Sequence, residues 1–269
     1  MWRRTVPVLM AASFLWGCAG AVHQLPQIDS NNLSLAQNEV RTSVGPPQRH
    51  IVNDDDALLT IRTALARIRP TATQLCREMN VGVCTWRFTA LKDHSLNAGA
   101  GRGGVIFINR GVVEYANSEE EVALVLAHEI GHQAANHIAV GERNQMAGAL
   151  IGAVLAGAVG AAASSRSPYS ATITRSAMDS GANIGAAIGK ISFSKEQERE
   201  ADYLAAVILY RSDIDLDKAR GILVTMARGS GRRETGMLDT HPAGPERLAA
   251  WDKAVAEVRA SRGALPKRK

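Results

Sequence analysis

His128-Glu129-Ile130-Gly131-His132 places two histidines four residues apart, with a glutamate directly after the first. On a helix, residues i and i+4 project from one face, so both imidazoles can reach one tetrahedral metal while Glu129 stands beside it as a general base. This is the arrangement of a zinc hydrolase. With seven His in 269 residues the pattern arises by chance in on the order of one such chain in a hundred, so its surroundings must support it. Upstream, Ser118-Glu119-Glu120-Glu121 reads as a capping box that opens the apolar run Val122 to Ala127. The motif is thus predicted to lie inside a helix of about 20 residues.

A catalytic zinc site takes three protein ligands and leaves a fourth position for water or substrate. Downstream, Glu196-Gln197-Glu198-Arg199-Glu200-Ala201-Asp202 offers three glutamates. Glu196 pairs with Glu200 and Glu198 with Asp202 at i,i+4, so spacing alone does not choose between them. Glu198 and Asp202 share a helix face with Ala201, Ala205, Ile208 and Leu209, the face expected to point inward. On that ground Glu198 is assigned to the metal. Asp202 is placed just outside the ligands, accepting the second ring N–H of a ligand histidine. Glu196 and Glu200 are read as a solvated helix face.

Together, His128-Glu129-x-x-His132 and Glu198-x-x-Ala201-Asp202 resemble the M48 zinc metallopeptidases, the HtpX-like family with membrane-embedded, mitochondrial and periplasmic lipoprotein branches. The resemblance covers roughly residues 50 to 260. It implies a zincin fold, one Zn2+ per chain, and Glu198 as third ligand. Asn97-Ala98 followed by Gly103-Gly104-Val105-Ile106-Phe107-Ile108 is similar to the strand that precedes the zinc helix in the family. By that likeness Gly104, Val105, Ile106 and Phe107 form the active-site edge to which an extended substrate adds as another strand. An ordinary buried strand fits the same apolar run. Thr240-His241-Pro242 with Arg247 resembles an H-P-x-x-x-x-R segment of periplasmic members. There the histidine approaches the zinc, blocking it or stabilising the reacting carbonyl. Read alone, His241 is a loop histidine before a proline-initiated helix. His137, five residues after His132, is expected to turn away from the ligand face, and His23, His50 and His94 have no evident partners.

Arg3-Arg4, the apolar stretch Val6 to Trp16 and Leu15-Trp16-Gly17-Cys18 resemble a lipoprotein signal at residues 1–17, with Cys18 as the lipidated residue. A plain secretory signal is the alternative. Ala19-Gly20 lacks the aspartate associated with inner-membrane retention, so the outer membrane is the expected address. Cys76 and Cys84 then remain as an even pair in an oxidising compartment and are expected to form a disulfide around the Asn80-Val81-Gly82 turn. In a cytosolic chain they would be two reduced core cysteines.

The formal charge of +5 falls to +3 (5 − 2) once Arg3 and Arg4 leave with the signal. With 4% aromatics and no basic helix, nucleic-acid binding is not indicated. Residues 18–50 read as a tether, 51–261 as one metallopeptidase domain and 262–269 as a basic tail. Asp54-Asp55-Asp56 is expected to cap a helix ended by Pro70. Trp86 to Phe88 and Val105 to Ile108 are expected strands, and later helices cover Leu216 to Met226 and Leu248 to Trp251. The class is α+β, mostly helical with a small sheet. Met146 to Ala163 is rich in Ala and Gly and has no charge; further on, Gly181, Gly185 and Gly189 recur at four-residue intervals. These stretches are read as a close-packed hairpin over the cleft, with membrane insertion as the alternative.

The expected function is a lipid-anchored zinc endopeptidase of the bacterial envelope, acting on unfolded, misfolded or stalled envelope proteins. The outer-membrane assembly machinery is an implied partner. A non-catalytic chaperone with a structural zinc is the competing class, and an intact Glu129 weighs against it, because a structural site needs no general base. Other zincin clans place the third ligand roughly 20 residues after the motif, far closer than Glu198 lies to His132.

Overall fold

The computed structural model describes residues 20–43, 45–143, 193–229, 241 and 244–269. Cys18, the uncharged stretch from Met146 and the glycine repeat at 181–189 lie outside them. Among the described residues no helix is long and apolar enough to cross a membrane.

Chain order begins with α1 (Ser30–Thr42), α2 (Asp54–Met79), β1 (Arg87–Leu91), β2 (Ala98–Gly101), β3 (Val105–Asn109) and α3 (Arg110–Tyr115). It continues with α4 (Glu119–Ala134), α5 (Lys195–Arg211), α6 (Leu216–Ala219), α7 (Gly221–Gly229) and α8 (Pro245–Ala260). The architecture is α+β, mostly helical around one small sheet, as the sequence predicts.

The segment expected as an irregular tether carries helix α1, capped by Asp29 accepting the Asn32 N–H. It packs on α8, and Arg220 clamps the two helices by pairing with both Glu39 and Asp252. In α2 the N-cap is Asn53, with the three aspartates in the first turn, where their charge complements the helix dipole. Pro70 does not end this helix. A proline inside a helix costs roughly 3 kcal/mol, but Ala72, Leu75, Cys76 and Met79 are all buried beyond it and offset that cost. Asn80, in the left-handed region at φ 52°, stops the helix, and the Cys76–Cys84 disulfide spans the turn.

The sheet order is β1-β3-β2, with β1 parallel and β2 antiparallel to β3. Both edges of β3 are therefore taken. That corrects the expectation that Gly104 to Phe107 form the free edge: Val105 pairs with Arg87 on one side and Gly101 on the other. Gly104 is not in a strand but in the preceding turn at φ 77°, where a Cβ would strike the Thr85 carbonyl. Among the described residues the outer edge next to the zinc-motif helix belongs to β2.

Helix α4 is buried from Glu121 to Ala134, on every face. Such a helix is the centre of a fold rather than its surface. Ser118 caps it, accepting the Glu121 N–H, but Glu121 reaches the Asn117 N–H instead of closing the expected box. Its C-terminal end is held by Gln133, whose side chain donates to the carbonyls of Gly101 and Val105. The disulfide loop closes in from the other side, its Gly82 so near the Gln133 carbonyl that no Cβ fits.

Among the described elements, helices α4 and α5 make the most extensive contact. Gly131, inside the motif, allows it: a Cβ there would lie 2.9 Å from the Ala201 carbonyl oxygen. Gly131→Val should therefore push the two helices apart, lowering stability by roughly 1–3 kcal/mol and weakening metal retention in the same protein. A thermal melt of the metal-free variant that matches wild type would contradict this close approach as a requirement.

Candidate active site

Four buried side chains from three places in the chain meet beside α4: His128, His132, Glu198 and His241 offer ligand atoms all within 4.8 Å of one another. The two motif histidines come from consecutive turns of α4. Glu198 comes from the first turn of α5, which a reciprocal capping box between Ser194 and Gln197 starts at a defined residue. His241 precedes α8, its ring bringing Nδ1 to 2.9 Å from Glu198 Oε1 and 3.2 Å from His128 Nε2.

The outer nitrogens of the motif rings are committed elsewhere. His128 Nδ1 lies 2.8 Å from Asp202 Oδ1 and is read as its donor. Asp202 is itself gripped by Arg247 through Nε at 2.8 Å and Nη2 at 2.9 Å, a two-pronged guanidinium–carboxylate pair. His132 Nδ1 lies 3.0 Å from His137 Nδ1. With both rings turned this way, the Nε2 atoms of His128 and His132 face each other 3.1 Å apart. Two ring nitrogens so close in a buried site need a cation between them, a proton on His128 in the resting protein and a metal in its place when one binds, and two imidazoles with a carboxylate suit zinc. Glu198 Oε2 and both oxygens of Glu129 are buried without a hydrogen-bond partner among the described residues, as a ligand oxygen and a base need to be.

Charge follows the same geometry. Burial alone would push the Asp202 carboxyl up, yet Arg247 and His128 bring it below the usual range. Burial also opposes ionisation of Glu198, but His241, His128 and His132 hold it well below the ordinary carboxylate value. Burial keeps His132 neutral, with its pKa far below that of a free imidazole. For His128, burial and Arg247 resist a charge, but Asp202 and Glu198 outweigh them and raise its pKa to about 9. A cation entering the cluster thus replaces a proton on His128.

Sequence reasoning located Glu129, His128, His132, Glu198 and Asp202, and the structure brings these together. His241 lies among the candidate ligands, next to where the resemblance implies the zinc is held. Glu196 is exposed, as expected. Glu200 is not: it is fully buried and accepts from Val22, His23 and His137. The helix-face argument failed because α5 is buried nearly all round from Glu200 to Leu209. His137 was misplaced for a different reason. Helix α4 ends at Ala134 and Asn136 takes a left-handed φ of 61°, so the 100° count per residue no longer applies beyond it. His137 therefore turns back onto His132. His23 pairs with Glu200 and His94 with Glu114, while His50 approaches Asn117. Phe193, whose ring lies 3.8 Å from that of His132, carried no signal in the sequence.

The family model described as peptidase family M48 matches residues 64–255. The chain belongs to that family. As an M48 peptidase it is 31% identical over 174 residues to the β-barrel assembly-enhancing protease of Escherichia coli (strain K12), covering 61% of this chain and 33% of that one. It therefore spans about a third of that relative's length. The mitochondrial metalloendopeptidase OMA1 of Arabidopsis thaliana is 26% identical over 163 residues, 61% of this chain and 30% of its own. Metalloprotease LoiP of Escherichia coli (strain K12) is 26% identical over 256 residues, with 91% of this chain and 93% of LoiP covered.

Glu198→Ala should empty the site of zinc, Glu196→Ala should leave metal content unchanged, and Asp202→Ala should weaken zinc binding by roughly 10–100-fold. Elemental analysis and chelator competition on the three variants check this. Because the His128 pKa lies near 9, zinc uptake at pH 7 should release about one proton. Calorimetry in buffers of differing ionisation enthalpy measures that number, and zero release would contradict the protonated resting ring.

Proposed function

We propose that the chain is a zinc-dependent endopeptidase. The observation that carries this is the juxtaposition of the His128, His132, Glu198 and His241 group with Glu129, a fully buried carboxylate whose oxygens have no hydrogen-bond partner among the described residues. When bound, zinc supplies Lewis-acid activation of a water and of the scissile carbonyl. Glu129 accepts the proton of the attacking water and delivers it to the leaving amine nitrogen. Asp202 and Arg247 keep the His128 lone pair pointing inward, and Arg247 Nη1, 3.3 Å from Glu198 Oε2, steers that carboxylate as well.

His241 acts as a cap. Its Nδ1 sits among the ligand atoms and its ring is 1% exposed, so a peptide carbonyl reaches the centre only when the ring withdraws. An extended substrate pairs with the outer edge of β2, at Ala98 to Gly101, rather than with Gly104 to Phe107, because β3 is already paired on both sides. The substrates we propose are misfolded or stalled envelope proteins, including outer-membrane β-barrels, in keeping with the name of the assembly-enhancing relative. Cys18 would carry the lipid that holds the enzyme at the periplasmic face, with the outer membrane as its address and the assembly machinery there as a partner. The Cys76–Cys84 disulfide supports an oxidising compartment.

Glu129→Gln should retain zinc but lose cleavage of an unfolded substrate such as casein by roughly 10²–10⁴-fold. The same variant, expressed in cells, should trap its substrates for proteomic identification. Full cleavage by the zinc-loaded Gln variant would remove Glu129 from the reaction. His241→Ala should raise basal proteolysis with zinc content unchanged; a lowered rate would instead make His241 a stabiliser of the reacting carbonyl.

A further inference from the structure

The two motif histidines are held from behind by unlike devices. His128 leans on Asp202 of α5, which Arg247 of α8 grips in turn. His132 leans on His137, whose Nε2 lies 2.9 Å from Glu200 Oε2. Glu200 then reaches a part of the chain far away in sequence: Oε2 accepts the Val22 N–H at 2.9 Å, and Oε1 accepts the His23 N–H at 2.9 Å and faces His23 Nδ1 at 2.5 Å. All four residues of this line, His132, His137, Glu200 and His23, are at most 2% exposed. The strand-like segment bearing Val22 and His23 is locked in turn by the C-terminal end, through Gln24 N–H to Lys267 O at 2.8 Å and Lys269 N–H to Val22 O at 3.0 Å.

With His137 neutral, the protons along this line fall in one consistent order. Glu200, a carboxylate, only accepts, so His137 donates through Nε2 and is left with an acceptor at Nδ1. His132 must then donate through Nδ1, which leaves its Nε2 lone pair for the metal. Glu200 thereby receives four donors, which explains how a charge can persist with no solvent exposure.

We propose that Glu200 and His137 are positioning residues for the metal ligand His132, and that the N-terminal strap at Val22 and His23 governs zinc retention through them. This rests on the metal reading above. The strap begins only a few residues after Cys18, so whatever holds the N-terminus also bears on the metal centre. Neither Glu200 nor His23 touches the metal; both act through His137.

The test is zinc affinity of the full chain, by competition with a chromogenic chelator, alongside thermal melts of each metal-free protein. His137→Ala and Glu200→Gln should each weaken zinc by roughly 10–100-fold. His137→Gln, whose amide can accept from His132 and donate to Glu200, should recover most of that loss. His23→Ala should weaken zinc in the same direction, and adding it to His137→Ala should cost nothing further, because both act through one chain of bonds. Wild-type affinity in His137→Ala or His23→Ala overturns the proposal. So does a His137→Gln variant no better than His137→Ala, or a double variant whose losses add. A wild-type chain that binds no zinc contradicts the metal reading itself, and this inference falls with it.

Discussion

The structure turns on how two imidazoles are made to present lone pairs to each other inside a dry interior. Left alone, each ring would take whichever tautomer lowered its own energy, and facing Nε2 atoms 3.1 Å apart would repel without a proton or a metal between them. Each is held in place by an acceptor on its far side: Asp202 for His128 and His137 for His132. The fold can be understood as the means of bringing those acceptors to α4. Helix α5 supplies Asp202 and Glu198, and it can do so because Gly131 lets its backbone close on α4.

Burial sets the energetic tone of this arrangement. Glu129, Glu198, Glu200, Asp202 and Arg247 are all nearly or wholly withdrawn from water. An uncompensated charge there would be very costly. Among the described residues the buried anions outnumber the one fixed cation, Arg247, so a divalent ion is the natural counter-charge. The same excess explains why His128 holds a proton until a metal replaces it. Folding, metal binding and proton uptake are therefore linked at this one place.

Much of this was legible beforehand because the motif residues are local. His128, Glu129 and His132 lie within one helical turn and a half, so periodicity suffices to orient them, whereas on α5 it leaves Glu198 with Asp202 and Glu196 with Glu200 as rival pairs. What the sequence hid was contact between distant segments. Glu200 looked solvated because its burial is supplied by residues 22–23 and by His137, none of which is near it in the chain. His137 looked misdirected because a left-handed Asn136 interrupts the helix on which the count was based. Pro70 looked like a stop because its local cost is plain from sequence, whereas the burial of Leu75 and Met79 that offsets it is tertiary. The edge role expected of β3 rests on the family likeness alone, and its apolar run marks a strand without saying how many neighbours it has, which are two.

The central claim is that His128, His132 and Glu198 hold a single zinc beside Glu129. Anomalous diffraction from crystals of the zinc-loaded chain, collected on both sides of the zinc edge, tests it most directly. The account predicts one strong peak about 2.0–2.2 Å from His128 Nε2, His132 Nε2 and a Glu198 oxygen. A peak elsewhere, or none among these three side chains, would contradict it.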